Sequence, residues 1–121
     1  MRRSVLMVDD SPSMRALVRS TLEMAGFDVI EKIDGVDALG YAKGGSADLV
    51  LTDVNMPNMD GIQLVGELRS LPQYKFVPIL VLTTESGGDM KMRGRQAGAT
   101  GWIVKPFDPA QLIATINRVL Q

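Results

Sequence analysis

The sequence predicts an α/β domain in which five parallel strands form a doubly wound sheet with helices on both faces. Short runs rich in leucine and β-branched residues alternate with segments whose apolar residues recur at helical spacing. The run Leu49-Val50-Leu51 shows no polar alternation, which is typical of a central parallel strand buried on both faces. A chain of 121 residues has room for one such unit, so we expect a single domain over residues 1–121.

The predicted strands and helices alternate along the chain. The strands are expected at residues 5–8, 27–33, 49–53, 77–83 and 101–104. The helices are expected at residues 12–25, 35–43, 61–70, 85–98 and from 109 onward. Right-handed crossovers then favour the flavodoxin-like strand order 2-1-3-4-5, with the second strand, which has one more polar face, at an edge.

Several helix ends carry start and stop signals. Ser11 is a favourable N-cap before Pro12 at the first helical position, and Gly26 supplies the stop of the first helix. Asp34 and Asp108 precede the second and last helices as caps. These signals fix where the first and last helices begin.

The fourth predicted helix contains three glycines, Gly87, Gly88 and Gly94. A glycine inside a helix costs up to about 1 kcal/mol relative to alanine. We therefore expect this helix to be short or mobile.

The composition excludes several classes of function. With 13 basic and 14 acidic residues and a net charge of -1, the chain has no basic run for a polyanion, so we expect no nucleic-acid partner. The absence of cysteine excludes disulfides and thiolate metal sites and fits a cytoplasmic location. The absence of histidine means that any imidazole in the chemistry must come from another molecule.

The amino terminus resembles the basic start of a signal peptide, because Arg2 and Arg3 precede an apolar run. That run stops at Asp9 and is too short for a signal peptide. No other stretch approaches the length of a membrane span, so we expect no membrane partner.

Polar side chains follow four of the five predicted strands. Asp9 and Asp10 end the first, Asp53 ends the third, Thr83 ends the fourth and Lys105 follows the fifth. The carboxyl ends of parallel strands lie at one edge of a sheet, and ligands bind where the strand order reverses, here between strands one and three. We therefore expect these side chains to meet in one crevice.

Three carboxylates in one crevice repel each other unless a cation is present. Oxygen donors without histidine or cysteine favour a hard ion, and Mg²⁺ suits one or two carboxylates, a backbone carbonyl and several waters. Beside such an ion, Asp53 is placed to attack a phosphoryl group, while Thr83 and Lys105 offer donors to its oxygens.

Each of these residues also has a purely structural interpretation. Asp53 and the Asp9-Asp10 pair can cap the elements that follow them. Thr83 can be an ordinary strand residue, and Lys105 can be a solvated side chain. Their joint occurrence at four strand ends favours the functional interpretation.

The same residues resemble the receiver domain of two-component response regulators, especially the single-domain chemotaxis type. The resemblance covers the whole chain and rests on Asp9-Asp10, Asp53 in Asp-Val-Asn-Met-Pro-Asn-Met-Asp-Gly, Thr83 and Lys105-Pro106-Phe107. It implies a signalling switch in which Asp53 accepts a phosphoryl group from the phosphohistidine of a sensor histidine kinase. Such a domain assists its own phosphorylation and dephosphorylation without being an enzyme.

The resemblance also implies a Mg²⁺ site. Asp10 would bind the ion directly, Asp9 partly through water, Asp53 through a carboxylate oxygen and Asn55 through its backbone carbonyl. The side chains of Asn55 and Glu85 would control access of the hydrolytic water. Small polar and acidic groups at these positions resemble the fast-resetting type, which implies an acyl phosphate that lasts seconds to minutes.

Around the phosphoryl group, the resemblance implies an ion pair with Lys105, a hydrogen bond from Thr83 in the active state and a cis Lys105-Pro106 bond. One residue departs from the pattern, because receivers usually carry tyrosine or phenylalanine where this chain has Trp102. The face formed by the fourth helix, fifth strand and fifth helix around Trp102 is expected to bind the downstream partner.

We expect a monomer whose output is the binding of a protein such as a flagellar motor switch component, since no output domain is expected after the last helix. A phosphorelay shuttle is the alternative within the same family. A magnesium-dependent aspartyl phosphatase is a second class, although Asn55 replaces the second acid usual in that class. A flavin-binding module is a third, but Asp9-Asp10 would repel the flavin phosphate.

Overall fold

The computed structural model describes residues 2–84 and 88–120, and there the predicted alternation of strands and helices is confirmed. The strands are β1 (Ser4–Val8), β2 (Asp28–Lys32), β3 (Leu49–Asp53), β4 (Ile79–Thr83) and β5 (Gly101–Val104). The helices are α1 (Pro12–Met24), α2 (Gly35–Ala42), α3 (Gly61–Arg69), α4 (Gly88–Ala97) and α5 (Pro109–Val119). A short 3-10 helix, Pro72–Tyr74, which we did not predict, precedes β4. Within the described ranges, no helix is long and apolar enough to cross a membrane.

The described strands form one parallel sheet in the predicted order, β2-β1-β3-β4-β5. β1 lies beside β3 with Val8 opposite Thr52, and β3 lies beside β4 with Asp53 opposite Leu82. The carboxyl ends of these strands therefore lie along a single edge of the sheet, and the strand order reverses between β1 and β3. This edge is where the candidate residues are found.

Two apolar layers hold the sheet between its helices. Successive residues of β1 point to opposite faces, so that Val5 and Met7 pack with α1 and α5, while Leu6 and Val8 pack on the side of α2, α3 and α4. All residues of β3 are buried, as expected for a central strand. Burial of each large apolar side chain contributes roughly 1.5–3 kcal/mol, so β3 and the strands beside it, β1 and β4, form a well-packed base for the residues at their carboxyl ends.

The predicted caps are confirmed. Ser11, Asp34 and Asp108 each accept a hydrogen bond from a backbone N–H in the first turn of the helix that follows. Asp60, which we did not identify as a cap, does the same for α3. Ser11 and Asp60 therefore satisfy backbone N–H groups at the starts of α1 and α3, the helices that follow β1 and β3.

The fourth helix, which was predicted to be short or mobile, has an ordinary length among the described helices. α4 has 10 residues and is longer than α2, which has 8. Gly88 begins the helix, and Gly87 lies outside the described residues. Gly94 is buried inside it, where the ring of Trp102 fills the space next to its Cα. Tertiary packing therefore offsets the low helix propensity of Gly94, while the mobility of this helix stays a prediction.

Candidate functional site

Three carboxylates meet beyond the carboxyl ends of β1 and β3. Asp9 and Asp10 follow β1, and Asp53 is the last residue of β3. One carboxylate oxygen from each lies within 4.8 Å of the other two. Asp9 and Asp53 are buried, with exposed fractions of 3% and 7%, whereas Asp10 is exposed. The structure thus brings together the three acids that the sequence predicted, with the exposed one at the mouth.

Lys105 supplies a positive charge to this cluster. Its Nζ lies 2.9 Å from Oδ1 of Asp53 and 3.6 Å from Oδ2 of Asp9. Its backbone N–H donates to the carbonyl of Thr83 at 2.6 Å, and the Lys105-Pro106 peptide bond is cis, as predicted. One ammonium group is therefore shared between two buried carboxylates.

The electrostatics of the cluster are clearest at Asp9. Burial raises the pKa of its carboxyl above the ordinary value, and the charges of Asp53 and Asp10 raise this pKa further. The backbone N–H of Ser11, which donates to Oδ1 of Asp9 at 2.9 Å, and the charge of Lys105 act in the opposite direction. The net shift of the Asp9 pKa is upward, and burial is its largest cause.

Arg15 lies near the cluster but does not neutralise it. Its guanidinium donates to the backbone carbonyl of Asp9 at 2.8 Å, while its Nε lies 3.1 Å from a carboxylate oxygen of Glu31. Because that charge is paired with Glu31, Arg15 orients the backbone at the end of β1 rather than balancing the acids.

The backbone after Asp53 is held by contacts that sequence reasoning missed. The N–H of Val54 donates to the carbonyl of Leu82 at 3.2 Å, which extends the pairing of β3 with β4 by one residue. The N–H of Gly61, the first residue of α3, donates to the carbonyl of Val54 at 2.8 Å. A Cβ at Gly61 would collide with the backbone carbonyl of Asp53. The sequence showed Gly61 as a turn signal but not the close approach that requires it.

The far side of the same loop is tied to α2. Nδ2 of Asn58 donates to a carboxylate oxygen of Asp34 at 3.0 Å. Asn58 has φ of 70°, in the left-handed region that asparagine tolerates better than most residues. Asp34 thus caps α2 and holds the loop that carries Asn55, a connection that no local pattern reveals because the two residues are 24 positions apart.

The remaining predicted residues have different environments. Thr83 is fully buried at the end of β4. Asn55 is exposed, two positions after Asp53. Glu85 lies outside the described residues.

Trp102 is half-buried in β5 and packs with the apolar layer beneath α2, α3 and α4. Met90 joins the same layer, whereas Met92 has an exposed fraction of 59%. The exposed surface of α4 thus includes Met92 beside several basic side chains. Its exposed basic residues are Lys91, Arg93 and Arg95.

Comparison with known proteins identifies the family of this fold and site. The sequence matches the response regulator receiver domain over residues 5–117. The chain belongs to this family. It is 37% identical to the chemotaxis protein CheY-3 of Vibrio cholerae over 97% of this chain and 91% of that protein. It is also 37% identical to the transcriptional regulatory protein PrrA of Mycobacterium bovis, of which it covers 49%.

Solved structures agree with this assignment. The chemotaxis protein CheY4 of Vibrio cholerae superimposes with a TM-score of 0.95 at 47% identity, over 98% of this chain and 99% of that chain. The receiver domain of the sensor histidine kinase PA1611 of Pseudomonas aeruginosa, with a magnesium ion in its active site cleft, gives a TM-score of 0.92 at 28% identity, over 99% and 98%. The chain is therefore a CheY-like signalling receiver domain of a two-component system and not a classical enzyme.

Proposed function

We propose that this receiver domain is a phosphorylation-controlled switch in which Asp53 accepts a phosphoryl group from the phosphohistidine of a sensor histidine kinase. The observation that carries the proposal is the pairing of buried Asp53 with Lys105 at 2.9 Å, beside Asp9 and Asp10. A nucleophile, a cationic donor and further carboxylates are the groups that phosphoryl transfer requires. The chain has no histidine, so the imidazole donor belongs to the partner.

In the transfer, a carboxylate oxygen of Asp53 attacks phosphorus and forms an acyl phosphate. The bond between phosphorus and the donor's imidazole nitrogen breaks, and its electron pair stays on that nitrogen. Lys105 already donates to Asp53, and it would follow the developing charge onto the phosphoryl oxygens. The hydroxyl of Thr83, at the end of the neighbouring strand, would donate to the same group once it is attached.

The residues present fit Mg²⁺. Three carboxylates against one lysine leave two negative charges without a positive partner among them. All of the donors are oxygens, which a hard divalent ion prefers. Asp9, Asp10, Asp53 and the backbone carbonyl of Asn55 would hold the ion, and the magnesium ion in the active site cleft of the PA1611 receiver supports a magnesium site in this fold. When bound, the ion would neutralise charge on the transferred oxygens.

The output is the binding of a downstream protein by the face that α4, β5 and α5 form around Trp102. Similarity to the chemotaxis proteins CheY-3 and CheY4 supports a target in chemotaxis such as a flagellar motor switch component. A phosphorelay shuttle is the second candidate, which the likeness to the receiver of a sensor histidine kinase favours. The cytoplasmic location and the monomeric state stay predictions.

The central test is phosphorylation by acetyl phosphate with Mg²⁺, followed by intact mass. We expect one added phosphoryl group, lost in Asp53→Asn and kept in Asp60→Asn, a matched control in the following loop. Asp60 caps α3 by accepting from the N–H of Gln63, and asparagine caps equally well. Undiminished labelling of Asp53→Asn would remove the proposal.

Three further measurements distinguish the candidate functions, and the first is the rate at which the phosphoryl label is lost. A half-life of seconds to minutes agrees with Asn55 and Glu85 as the residues that control water access, whereas many hours would contradict it. Continuous turnover of small phosphomonoesters would instead favour the aspartyl phosphatase. Pull-down from native lysate with and without a phosphate mimic distinguishes a motor target from a phosphorelay partner.

A further inference from the structure

The six-membered ring of Trp102 lies against the backbone of α4. A Cβ built on Gly94 would be 2.5 Å from Cζ3 of Trp102 and 3.2 Å from its Cε3. It would also be 3.4 Å from Cδ1 of Ile62, a core residue of α3. Carbon atoms in contact normally stay about 3.5–4.0 Å apart, so the ring occupies the volume that a side chain at position 94 would need.

The inward face of α4 explains why a glycine is tolerated there. Met90 and Ala97, four positions before and three after Gly94, are both half-buried in the apolar layer that includes Trp102. Residues at this spacing share one face of a helix. Gly94 is thus a core position whose missing side chain is replaced by the indole of a neighbouring strand.

We propose that Gly94 is the positioning residue for Trp102. Because Gly94 has no Cβ, the space beside its Cα, here called the glycine seat, holds the indole inward against α4. The ring and α4 are therefore displaced together. The consequence for signalling rests on the proposed function, because this face is the proposed output surface. An indole fitted to a glycine seat cannot move into or out of it without changing the contact with α4. Trp102 and Gly94 therefore act as a size-matched pair.

The first test compares glycine-to-alanine changes at three helical sites. Nothing lies within 4 Å of a Cβ built on Gly66 in α3 or on Gly40 in α2. At such open sites alanine has the higher helix propensity, so both controls should keep or raise the urea midpoint. Gly94→Ala should lower the urea midpoint, shift Trp102 emission to longer wavelength and increase its quenching by acrylamide. Trp102 is the chain's single tryptophan, so its emission reports on this contact.

A double-mutant cycle with Trp102→Phe provides the reciprocal test. Phenylalanine lacks the second ring, so the seat is partly empty in Trp102→Phe and alanine at position 94 can enter it. We expect the effect of Gly94→Ala on stability to change sign, from destabilising with tryptophan to stabilising with phenylalanine. Additive effects, together with unchanged Trp102 emission in Gly94→Ala, would overturn the proposal.

The signalling consequence is measured with beryllofluoride and Mg²⁺ as the phosphate mimic. Wild type should show an emission change, and Gly94→Ala a smaller one because its ring already lies outside the seat. Acetyl phosphate should still label Asp53 in Gly94→Ala, because none of the site residues has changed. If wild type is not labelled, the proposed function is wrong, but the double-mutant cycle still tests the contact between Gly94 and Trp102. An additive cycle with intact labelling would remove this inference alone.

Discussion

The space next to the Cα of Gly61 is filled by the backbone that carries Asp53. A Cβ there would meet the carbonyl oxygen of Asp53 and lie 2.9 Å from the Cα of Val54. The clash is with backbone, which cannot turn away as a side chain can. The glycine therefore sets how closely the start of α3 packs against the backbone of Asp53.

We predict that Gly61→Ala displaces this backbone and lowers the free energy of unfolding by about 1–3 kcal/mol, the usual cost of overpacking. Labelling of Asp53 by acetyl phosphate should slow in the same variant, because the nucleophile shifts relative to Lys105. Urea unfolding and the rate of labelling measure the two effects. Gly66→Ala is the control on the same helix, and equal behaviour of the two variants would contradict the prediction.

Asp9 has a raised pKa because its carboxyl is buried, with Asp53 and Asp10 beside it. The pKa is higher in the folded chain than the ordinary value of 3.8 expected after unfolding. The cost of burying the charge is therefore absent below pH 3.8 and complete above the folded pKa.

We predict that Asp9→Asn raises the stability of the metal-free protein at neutral pH. The gain should vanish as the pH falls below the ordinary pKa of the carboxyl, where the charge is lost in wild type as well. Added Mg²⁺ should stabilise wild type more than the variant. Thermal unfolding across pH, with and without Mg²⁺, tests both statements. Asp28→Asn removes an acid whose side chain is 62% exposed and should give neither effect.

Among the helices and strands, the carboxyl end of α4 is bound to α3 by the side chain of Arg69, the last residue of α3. The guanidinium of Arg69 donates to the carbonyls of Gly98 at 2.9 Å, Tyr74 at 2.7 Å and Val77 at 2.7 Å, and to Oγ of Thr100 at 3.3 Å. Burial lowers the pKa of Arg69. The end of α4 and the start of β5 are thus tied to α3 and to the segment before β4.

We predict that Arg69→Gln lowers the free energy of unfolding by at least about 2 kcal/mol, since several partly buried carbonyls lose a charged donor. Hydrogen exchange should accelerate in the last turn of α4 and at the start of β5. Arg118→Gln is the matched control, because Arg118 also lies in the last turn of its helix but donates only weakly, at 3.5 Å, to Thr115. A uniform change in exchange over all helices would contradict the local role of Arg69.

Across the whole molecule, Tyr74 links the segment before β4 to the loop before β3. Its hydroxyl donates to the carbonyl of Gly45 at 2.8 Å, and its ring is fully buried in the layer beneath α2, α3 and α4. Burial raises the pKa of Tyr74 to about 12. The folded state thus holds this proton more tightly than the unfolded chain, whose tyrosine pKa is near 10.0.

We predict that Tyr74→Phe costs about 1 kcal/mol at neutral pH, the net value of one hydrogen bond. The wild-type advantage is complete below pH 10.0 and falls as the pH rises toward about 12. The fall should be about 1.4 kcal/mol per pH unit. Urea unfolding of both proteins at several alkaline pH values gives this difference. Tyr41→Phe, which removes an exposed hydrogen bond to Ser46, should cost less, and a pH-independent difference for Tyr74→Phe would contradict the assignment.

Much of the fold was predictable because its signals are local. The run at Leu49-Val50-Leu51 and the cap at Ser11 each act through neighbouring residues, so both can be recognised without knowledge of distant contacts. The strand order followed from the handedness of crossovers rather than from any one residue. The meeting of Asp9 and Asp53 could be predicted for the same reason, since parallel strands end at a common edge.

The predictions failed where a residue's role depends on a distant partner. Gly94 was interpreted only as a residue that destabilises the fourth helix. Its contact with Trp102 could not be predicted, because the position of β5 relative to α4 does not follow from the local sequence pattern. Arg69 was not singled out at all, since its acceptors include the carbonyl of Gly98, 29 positions away.

The sequence by itself determined which chemical groups reach the functional edge of the sheet, because alternation of apolar runs and turn residues sets where each strand ends. The tertiary structure alone decided that Lys105 lies between Asp53 and Asp9, that Asp34 holds Asn58, and which atoms fill the space beside Gly61 and Gly94. These distances depend on how helices pack against the sheet. Close packing is a property of the assembled surfaces, so no short segment of the chain contains it.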